Sequence, residues 1–175
     1  MLTLLTGGAR SGKSARALAL AGRAHRVLFV ATGEAHDEEM TARIATHKAE
    51  RPAAWATLET PRALATALAP HTDYYDLIII DCLTLWVSNL LLTHPTPIDP
   101  VAAVPSLLDV YAHSRASWIV VTNEVGLGLV PDTPLGRTYR DLLGAVNRQV
   151  AAAADVVEFM VAGLPLTIKP PPPRG

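Results

Sequence analysis

The sequence predicts an α/β fold in which a mostly parallel β-sheet is flanked by helices within a single domain. Short apolar runs alternate with longer helical stretches along the 175 residues, which is typical of βαβ units and a parallel sheet. The apolar runs are nearly continuous rather than alternating with polar residues, so we expect helices to cover both faces of the sheet.

The strands are predicted from apolar runs of about five residues rich in Val, Ile and Leu. These runs are Leu2–Thr6, Val27–Ala31, Leu77–Asp81, Trp118–Thr122 and Val156–Val161, with Leu166–Lys169 as a last edge strand.

The helices are predicted between these strands: Ala15–Ala24, Asp37–Arg51, Pro61–Leu68, Thr84–Leu92, Val101–Ala116 and Thr138–Ala153. Acidic residues beginning at Asp37 favour a helix N-terminus, and Pro52 ends that helix. Pro61 is predicted at the first position of the next helix, where proline is tolerated.

The domain is predicted to span residues 1–169, with a proline-containing loop at 94–100 and a glycine- and proline-rich loop at 126–136. Residues 170–175 form a separate proline-rich tail. Proline lacks a backbone N–H and cannot continue a helix or a ladder, so we expect the tail to be flexible.

Composition excludes several functional classes. The net charge of −1 argues against a general nucleic-acid binder, and no apolar run is long enough to span a membrane. Gly7 and Gly8 interrupt the apolar N-terminus, which argues against a signal peptide. The lone cysteine, Cys82, is predicted to be buried; it excludes an internal disulfide and a cysteine zinc cluster, and fits a reduced cytoplasmic setting.

The segment after the first strand matches the phosphate-binding motif G-x-x-x-x-G-K-[ST]. Its residues are Gly7, Gly8, Ala9, Arg10, Ser11, Gly12, Lys13 and Ser14. Glycines let successive backbone N–H groups point at phosphate oxygens, and the following helix adds its positive N-terminal end. Lys13 supplies a cation for the β- and γ-phosphates. Because the motif lies between a strand and a helix, we expect a P-loop NTPase-like fold that binds GTP or ATP.

A magnesium site is predicted from two oxygen-bearing side chains. The Ser14 hydroxyl is the usual Mg²⁺ ligand of a P-loop, and Asp81 ends the third predicted strand, where an acidic residue helps to hold the ion. The alternative is that Asp81 is a solvated carboxylate at a strand end.

His47 is the histidine with the most informative surroundings. On a helix, Arg43, His47 and Arg51 lie four residues apart, close to one face, with Lys48 adjacent. Nearby cations favour a neutral imidazole, which can attack phosphorus, and they stabilise developing negative charge. The alternative is a solvated helix face with an incidental histidine.

Together these segments resemble the bifunctional adenosylcobinamide kinase / adenosylcobinamide-phosphate guanylyltransferase family. The resemblance covers about Leu2 to Lys169 and rests on the P-loop, Ala31-Thr32, Asp37–Met40, Ala42–Pro52, Trp55, Glu59, Val121–Gly126, Val130-Pro131, Arg140-Asp141 and Val146-Asn147.

The resemblance implies phosphorylation of adenosylcobinamide, followed by transfer of GMP from GTP to adenosylcobinamide phosphate. It also implies that His47 becomes covalently bonded to GMP, and that the protein is a homo-oligomer, often a trimer. Further guanine-nucleotide contacts are implied for Thr32, Gly33, Glu34, Lys48, Ala49, Glu50, Arg51, Glu59 and Asp81. Gly33 departs from the small polar residue expected there.

Asn123 and Glu124 follow the fourth predicted strand, at the carboxyl end of the sheet where ligands of α/β proteins bind. They form either part of a corrinoid or metal site or a turn with a buried polar network.

Two other functions stay open at this stage. One is a P-loop kinase of another small molecule, in which His47 is structural. The other is a nucleotide-dependent regulatory switch, which is disfavoured because the base-reading sequence Asn-Lys-x-Asp is absent.

Overall fold

The computed structural model describes residues 1–22, 24–35, 37–49, 51–93 and 95–171, without the side chains of Glu39 and Arg43. Its strands are β1 (Leu2–Gly7), β2 (Val27–Ala31), β3 (Ala56–Glu59), β4 (Leu77–Asp81), β5 (Ser117–Val121), β6 (Val156–Val161) and β7 (Leu164–Lys169). Its helices are α1 (Lys13–Ala21), α2 (Glu38–Ala49), α3 (Leu64–Leu68), α4 (Leu83–Leu91), α5 (Pro100–Ala112) and α6 (Pro134–Ala153), and a 3₁₀ turn covers Ala69–His71.

One sheet contains these strands in the order β3-β2-β4-β5-β1-β6-β7. Neighbouring strands are parallel except β6 and β7, which form an antiparallel hairpin at one edge. The prediction of a mostly parallel sheet flanked by helices is therefore confirmed.

Helices cover the two faces of the sheet unequally. On one face, α3, α4, α5 and α6 bury a large core that includes Trp86, Trp118 and Leu143. On the other face, α1 places Ala17 and Ala21 against the strands in a smaller core. Small side chains on α1 let it pack close to the sheet beneath the phosphate loop.

The predicted elements need several corrections. Strand β3 was not predicted, because its four residues alternate between half-buried and exposed and lack a continuous apolar run. Helix α3 begins at Leu64, so Pro61 is not at a first helical position. Helix α6 begins at Pro134, four residues earlier than predicted, because the Thr133 side chain accepts a hydrogen bond from the Gly136 N–H and caps it.

Smaller differences between the predicted and the observed elements lie at the ends of other helices. Helix α1 begins two residues before the predicted start and ends at Ala21, where Gly22 follows. Helix α5 covers Pro100–Ala112, because Asp99 caps its N-terminus by accepting from the Val101 N–H. Of the predicted flexible tail, residues 172–175 lie outside the described part of the chain.

Among the described residues, no helix combines the length and apolar character that a membrane crossing requires.

The parallel topology brings the carboxyl ends of the first six strands to one edge of the sheet. Backbone hydrogen bonds join these ends: the Thr32 N–H donates to Asp81 O, and the Glu124 N–H donates to Gly7 O, at 3.3 and 3.0 Å. The loops that carry the predicted site residues therefore meet at this carboxyl edge.

Candidate functional site

The P-loop connects β1 to α1 through a backbone that only certain residues tolerate. Gly7 and Gly12 have φ values of 143° and 96°, and Arg10 also has a positive φ of 56°. A Cβ at Gly7 would lie 2.5 Å from Met160 O. Glycine at position 7 is thus required by both its dihedral angle and the close approach of β6.

Lys13 lies inside the curl of the P-loop. Its ammonium donates to Gly8 O at 2.6 Å, to Gly7 O at 3.1 Å and to Ser11 Oγ at 3.4 Å. Burial lowers the pKa of Lys13, while Cys82 and Asp81 act in the opposite direction. The cation is therefore held where the phosphates of a P-loop ligand bind.

Ser14 and Asp81 meet at the start of α1, as predicted for a magnesium site. The Ser14 hydroxyl donates to Asp81 Oδ2 at 3.3 Å. A P-loop metal site needs few protein ligands, since phosphate oxygens and water complete it. The described residues hold no cluster of three or more His, Cys, Asp or Glu side chains suited to a metal.

The electrostatics of Asp81 reflect its surroundings. Burial raises the pKa of its carboxyl group, and His47, the Ser14 hydroxyl, Arg51 and Lys13 each act to lower it. Asp81 is thus the anionic centre of a group of cationic or protonatable side chains. Sequence reasoning had placed only cations around His47 and had not placed this carboxylate beside it.

A cavity beside the P-loop brings together residues from β2, β4, α1 and the end of α2. Its lining is Ser14, Ala17, Leu18, Phe29, His47, Arg51, Ile79 and Asp81. The structure therefore places His47 in the same cavity as both predicted magnesium ligands. This juxtaposition was not derivable from spacing alone, because the residues are up to 67 positions apart.

Arg51 also enters this cavity, but not from the helix. Helix α2 ends at Ala49, so the prediction that Arg51 lies on the same helical face as His47 is wrong. The Arg51 guanidinium lies 3.6 Å from the centre of the Phe29 ring, and its buried Nε has no hydrogen-bond partner among the described atoms. Burial lowers the pKa of Arg51.

The Arg51 guanidinium therefore packs on the Phe29 ring, and its Nε–H has no hydrogen-bond acceptor among the described atoms. An anion in the cavity would supply one. The side chain of Arg43, the third cation of the predicted helix face, lies outside the described part of the structure.

The loop after β2 contains Thr32, Gly33 and Glu34, which occupy different environments. Thr32 is fully buried, and its hydroxyl donates to Cys82 O at 2.7 Å and accepts from Cys82 N–H at 2.9 Å. Its side chain therefore braces the end of β4 and is not available to a ligand.

Gly33 and Glu34 continue this loop toward α2 and α4. A Cβ at Gly33 would make ordinary contacts with Leu85 and Ile44, at 3.4 and 3.5 Å. The Glu34 carboxylate forms a two-pronged ion pair with Arg62, both bonds 2.7 Å long. Arg62 was not among the predicted site residues.

The remaining predicted nucleotide contacts lie around the end of α2 and of β3. Lys48 and Glu59 form an exposed ion pair at 3.7 Å, and Ala49 is exposed at the helix end. Glu50, also predicted to contact the nucleotide, lies outside the described residues. An exposed pair of this length contributes little stability, so Lys48 and Glu59 remain accessible to a ligand.

Asn123 and Glu124 lie in a hydrogen-bonded turn after β5. Both carboxylate oxygens of Glu124 accept backbone N–H bonds, from Gly126 at 2.7 Å and Leu127 at 2.9 Å. Asn147 donates to Asn123 O at 3.0 Å. The alternative of a turn with a polar network accounts for these contacts.

Cys82 is only partly buried, contrary to prediction. Burial and the adjacent Asp81 raise the pKa of its thiol to about 11. The thiol is therefore protonated near neutral pH and is a poor nucleophile.

Sequence reasoning missed two side chains: Phe29, which lines the cavity, and Arg62, which pairs with Glu34. Phe29 is one apolar residue among five in β2, and nothing in its spacing marks it. Arg62 follows the unpredicted strand β3, and recognition of that strand would have placed it at the carboxyl edge.

Comparisons with known proteins agree over nearly the whole chain. A family model described as cobinamide kinase / cobinamide phosphate guanyltransferase matches residues 3–168. The bifunctional adenosylcobalamin biosynthesis protein CobU of Salmonella typhimurium strain LT2 is 44% identical, over 97% of this chain and 100% of its own length. The protein CobP of Pseudomonas aeruginosa, which bears the same description, is 43% identical over 98% of this chain and 99% of its own.

Solved structures of more distant proteins share the fold. An ATPase from the type III secretion system of pathogenic bacteria superposes with a TM-score of 0.58 at 14% identity, covering 95% of this chain and 56% of that one. The RadB recombinase superposes with a TM-score of 0.51 at 15% identity, covering 90% and 73%. At these identities the likeness concerns the fold alone.

Proposed function

The chain belongs to the cobinamide kinase / cobinamide phosphate guanyltransferase family, and we propose that it catalyses both reactions on adenosylcobinamide. In the first, the γ-phosphoryl group of GTP or ATP passes to the aminopropanol hydroxyl, which loses its proton, and a nucleoside diphosphate leaves. In the second, GMP passes from GTP to the resulting phosphate, which gives adenosylcobinamide-GDP and pyrophosphate.

The second reaction proceeds through a guanylyl group on His47. A neutral imidazole nitrogen attacks the α-phosphorus of GTP, a P–N bond forms, and the bond to pyrophosphate breaks. The phosphate oxygen of adenosylcobinamide phosphate then attacks the same phosphorus and releases His47. The observation that carries this proposal is that His47 lines the same cavity as Ser14 and Asp81.

The cations around the cavity stabilise the charge that develops in this step. Lys13, inside the P-loop, neutralises the departing pyrophosphate, and Arg10 on the exposed side of the loop contributes further positive charge. The Arg51 Nε–H, which has no acceptor among the described atoms, donates a hydrogen bond to the α-phosphate beside His47. Preorganised donors of this kind are among the largest contributions to phosphoryl-transfer catalysis.

The Ser14–Asp81 pair is proposed to hold Mg²⁺. When bound, the ion would neutralise the negative charge of the β- and γ-phosphates. The 3.3 Å contact between the Ser14 hydroxyl and the Asp81 carboxylate supports this proposal, because two neighbouring oxygens can share one ligand.

The nucleotide contacts expected from the family resemblance are likewise proposed for this chain. They comprise the P-loop residues Gly7, Gly8, Ala9, Arg10, Ser11, Gly12, Lys13 and Ser14, and the residues Thr32, Gly33, Glu34, Lys48, Ala49, Glu50, Arg51, Glu59 and Asp81. Thr32 is fully buried, and its hydroxyl and backbone N–H are both hydrogen-bonded, so its part would be to hold the loop whose neighbouring residues contact the nucleotide. We also propose a cytoplasmic location and a homotrimeric assembly.

Substitution of His47 separates the two reactions. His47→Ala is expected to lower GMP transfer to adenosylcobinamide phosphate by about 1,000-fold or more, as removal of a covalent nucleophile does. Phosphorylation of adenosylcobinamide should stay within about threefold of wild type, since the P-loop is intact. Each activity is measured with its own labelled GTP, γ-labelled for the kinase and α-labelled for the transferase.

His113→Ala provides a matched control, because His113 is exposed at the end of α5, 77% accessible, far from the P-loop in sequence. It should leave both activities unchanged. Retention of GMP transfer by His47→Ala would contradict the proposed mechanism. Absence of GMP transfer in the wild type would contradict the second proposed reaction and leave only the kinase reaction.

A further inference from the structure

The side-chain amide of Asn123 is a polar group at the carboxyl edge that the turn after β5 does not use. The Asn123 N–H donates to the Thr84 hydroxyl at 2.8 Å, and the Asn123 carbonyl accepts from the Asn147 amide at 3.0 Å. Within the described part of the chain, the Asn123 side chain has no hydrogen-bond partner. The backbone is therefore fixed, whereas the amide keeps its donors and its acceptor for a ligand.

Asn123 continues the ladder between β1 and β5 beyond the last residue of β5. The Thr122 N–H donates to Leu5 O at 2.9 Å. The Glu124 N–H donates to Gly7 O at 3.0 Å. These two bonds are two residues apart on both chains, which is the regular spacing of a parallel ladder. Asn123 therefore lies beside Gly7, the first residue of the P-loop.

The alternation of side chains along β5 directs the Asn123 amide toward the face that α1 covers. Val121 packs in the core on the α1 face. The Thr122 hydroxyl is on the opposite face, where it donates to Asn147 of α6 at 2.7 Å. Successive residues of a strand point to opposite faces, so Asn123 is on the same face as Val121. Asp81 shares that face, because it is paired with Val121.

One carbonyl group connects this position to the cation of the P-loop. Gly7 O accepts from the Lys13 ammonium at 3.1 Å as well as from the Glu124 N–H. In a P-loop the lysine ammonium contacts the β- and γ-phosphates. Asn123, which precedes Glu124, is therefore at the phosphate end of the nucleotide site.

We infer that Asn123 is a catalytic residue of the kinase reaction: its amide N–H donates a hydrogen bond to an oxygen of the γ-phosphoryl group. The inference rests on the proposed function, since it takes phosphorylation of adenosylcobinamide as the reaction. In that step the aminopropanol oxygen attacks the γ-phosphorus, and the bond from this phosphorus to the β–γ bridging oxygen breaks. The nucleoside diphosphate leaves, and the hydroxyl proton passes to water. A donor held in place stabilises the charge on the phosphoryl oxygens.

GMP transfer makes a different demand on the same hydrogen bond. In that reaction the bond at the α-phosphorus breaks, and the γ-phosphoryl group leaves unchanged as part of pyrophosphate. The hydrogen bond from Asn123 is then equally strong in the ground state and in the transition state, so it contributes to GTP binding but not to kcat. The ratio of the two activities therefore distinguishes a γ-phosphoryl contact from general damage to the P-loop.

The first test compares the two activities in Asn123→Ala. The kcat for phosphorylation of adenosylcobinamide should fall about 100-fold, the effect of removing one preorganised donor. The kcat of GMP transfer at saturating GTP should stay within about threefold of wild type.

The second test measures equilibrium binding of GDP and of the α,β-methylene analogue of GTP, in the absence of corrinoid. The methylene group replaces the bridging oxygen, so the α-phosphorus of the analogue cannot be transferred to the protein. Asn123→Ala should weaken binding of the analogue about tenfold, as loss of a hydrogen bond to a charged group does, and change GDP binding less than about twofold.

Asn123→Asp separates hydrogen bonding from shape. Aspartate has nearly the same size, but its carboxylate only accepts hydrogen bonds and repels the γ-phosphoryl group. It should therefore reduce kinase turnover and analogue binding more than Asn123→Ala does. If Asn123 only shaped the turn, the aspartate variant would be the milder one. Thermal melts of both variants should match wild type, since no described residue loses a hydrogen bond to the Asn123 side chain.

Gln149→Ala is the matched control, because it also removes a side-chain amide. The Gln149 Nε2 donates to Val101 O at 3.4 Å, where α6 packs against α5 on the face of the sheet opposite α1. This variant should leave both activities and both affinities unchanged.

Equal losses of kinase and GMP-transfer turnover in Asn123→Ala would show a merely structural role and overturn the inference. An unchanged preference for the triphosphate analogue over GDP would overturn it as well. Absence of adenosylcobinamide phosphorylation in the wild type would refute the kinase half of the proposed function. The binding comparison would still decide whether Asn123 contacts the γ-phosphoryl group, because it requires no turnover.

Discussion

Asp81 lies in the candidate metal site, but its buried environment disfavours the charged form of its carboxyl group. Its carboxylate contacts the Ser14 hydroxyl, yet burial raises its pKa. The folded protein therefore holds the Asp81 proton more tightly than the unfolded chain, whose aspartate pKa is about 3.9. Stability from this group falls as pH rises from about 4 through the folded-state pKa, and the ionised form costs stability at pH 7.

Asp81→Asn should consequently stabilise the protein at pH 7 while impairing its activity. We expect Tm to rise, because the amide removes the cost of a buried negative charge. The gain should shrink as pH approaches 4. Mg²⁺-dependent activity should fall by about 10- to 100-fold, as at other perturbed metal sites. Thermal melts between pH 4 and 8 and both transferase assays measure these effects.

Asp76→Asn provides a control in which the expected change in Tm at pH 7 has the opposite sign. The Arg26 side chain lowers the pKa of Asp76, so its stabilising contribution is present above about pH 4 and is lost as pH falls through the lower folded-state pKa. This variant should lower Tm at pH 7 and leave activity unchanged. A lower Tm at pH 7 in Asp81→Asn would contradict the electrostatic account.

At the scale of elements, the β6–β7 hairpin supports the P-loop. Its turn residues Ala162 and Gly163 both have positive φ values, 50° and 83°. The Gly163 N–H donates to Ser11 O at 3.0 Å, and a Cβ on Gly12 would lie 3.1 Å from the Gly163 Cα. The turn and the phosphate loop are therefore packed backbone against backbone.

Gly163→Ala is expected to loosen this contact. The new Cβ meets no atom, so the cost arises from the left-handed dihedral angle and is about 1 kcal/mol. Movement of the turn displaces the Ser11 carbonyl, and GTP affinity should fall several-fold. Chemical denaturation and nucleotide titration measure the two effects.

Gly144→Ala tests the same substitution without the strain. Gly144 lies within α6, and a Cβ there also meets no atom. Alanine should stabilise the helix by about 0.5–1 kcal/mol and leave GTP affinity unchanged. If the two substitutions had equal effects on GTP affinity, the hairpin turn would not be supporting the phosphate site, and this prediction would be contradicted.

Elements with a strong local pattern were predictable from the sequence, whereas the connections between them were less so. The apolar strands Val27–Ala31 and Leu77–Asp81 were predicted with the observed bounds. A strand that is buried along its length appears in the sequence as an uninterrupted run of apolar residues. Strand β3 was missed since it has no such run, and the missed strand concealed Arg62. The start of α6 depends on the Thr133 cap, a local hydrogen bond that composition does not reveal.

The candidate site was predictable where one short segment carries the chemistry. The P-loop is such a segment, because its backbone geometry and its cation both follow from eight consecutive residues. The meeting of Ser14, His47 and Asp81 depends on strand order, which no spacing in the sequence encodes. The stacking of Arg51 on Phe29 depends on where α2 ends, and the helix was predicted to continue two residues too far.

At the scale of the whole molecule, the hairpin edge of the sheet is unusually apolar. Strand β7 exposes Leu164, Leu166 and Ile168 at alternate positions, with accessibilities of 71%, 61% and 59%. An exposed apolar edge strand is a common interface for self-association. We expect the proposed homo-oligomer to use this surface.

Leu166→Lys should therefore shift the protein toward monomers in sedimentation velocity, since a charged side chain opposes burial of the edge. Leu129→Ser serves as the control, because Leu129 is 95% exposed on the loop after β5. It should leave the assembly intact. Dissociation by Leu129→Ser and not by Leu166→Lys would place the interface on that loop instead.

The central claim is that one P-loop site serves two chemistries, with His47 as the nucleophile of the second. Incubation with α-labelled or γ-labelled GTP and Mg²⁺, followed by denaturation, tests it most directly. We predict acid-labile, alkali-stable label from the α position only, absent in His47→Ala. Absence of covalent α-label from folded wild-type protein that binds GTP, or undiminished label in His47→Ala, would contradict the claim.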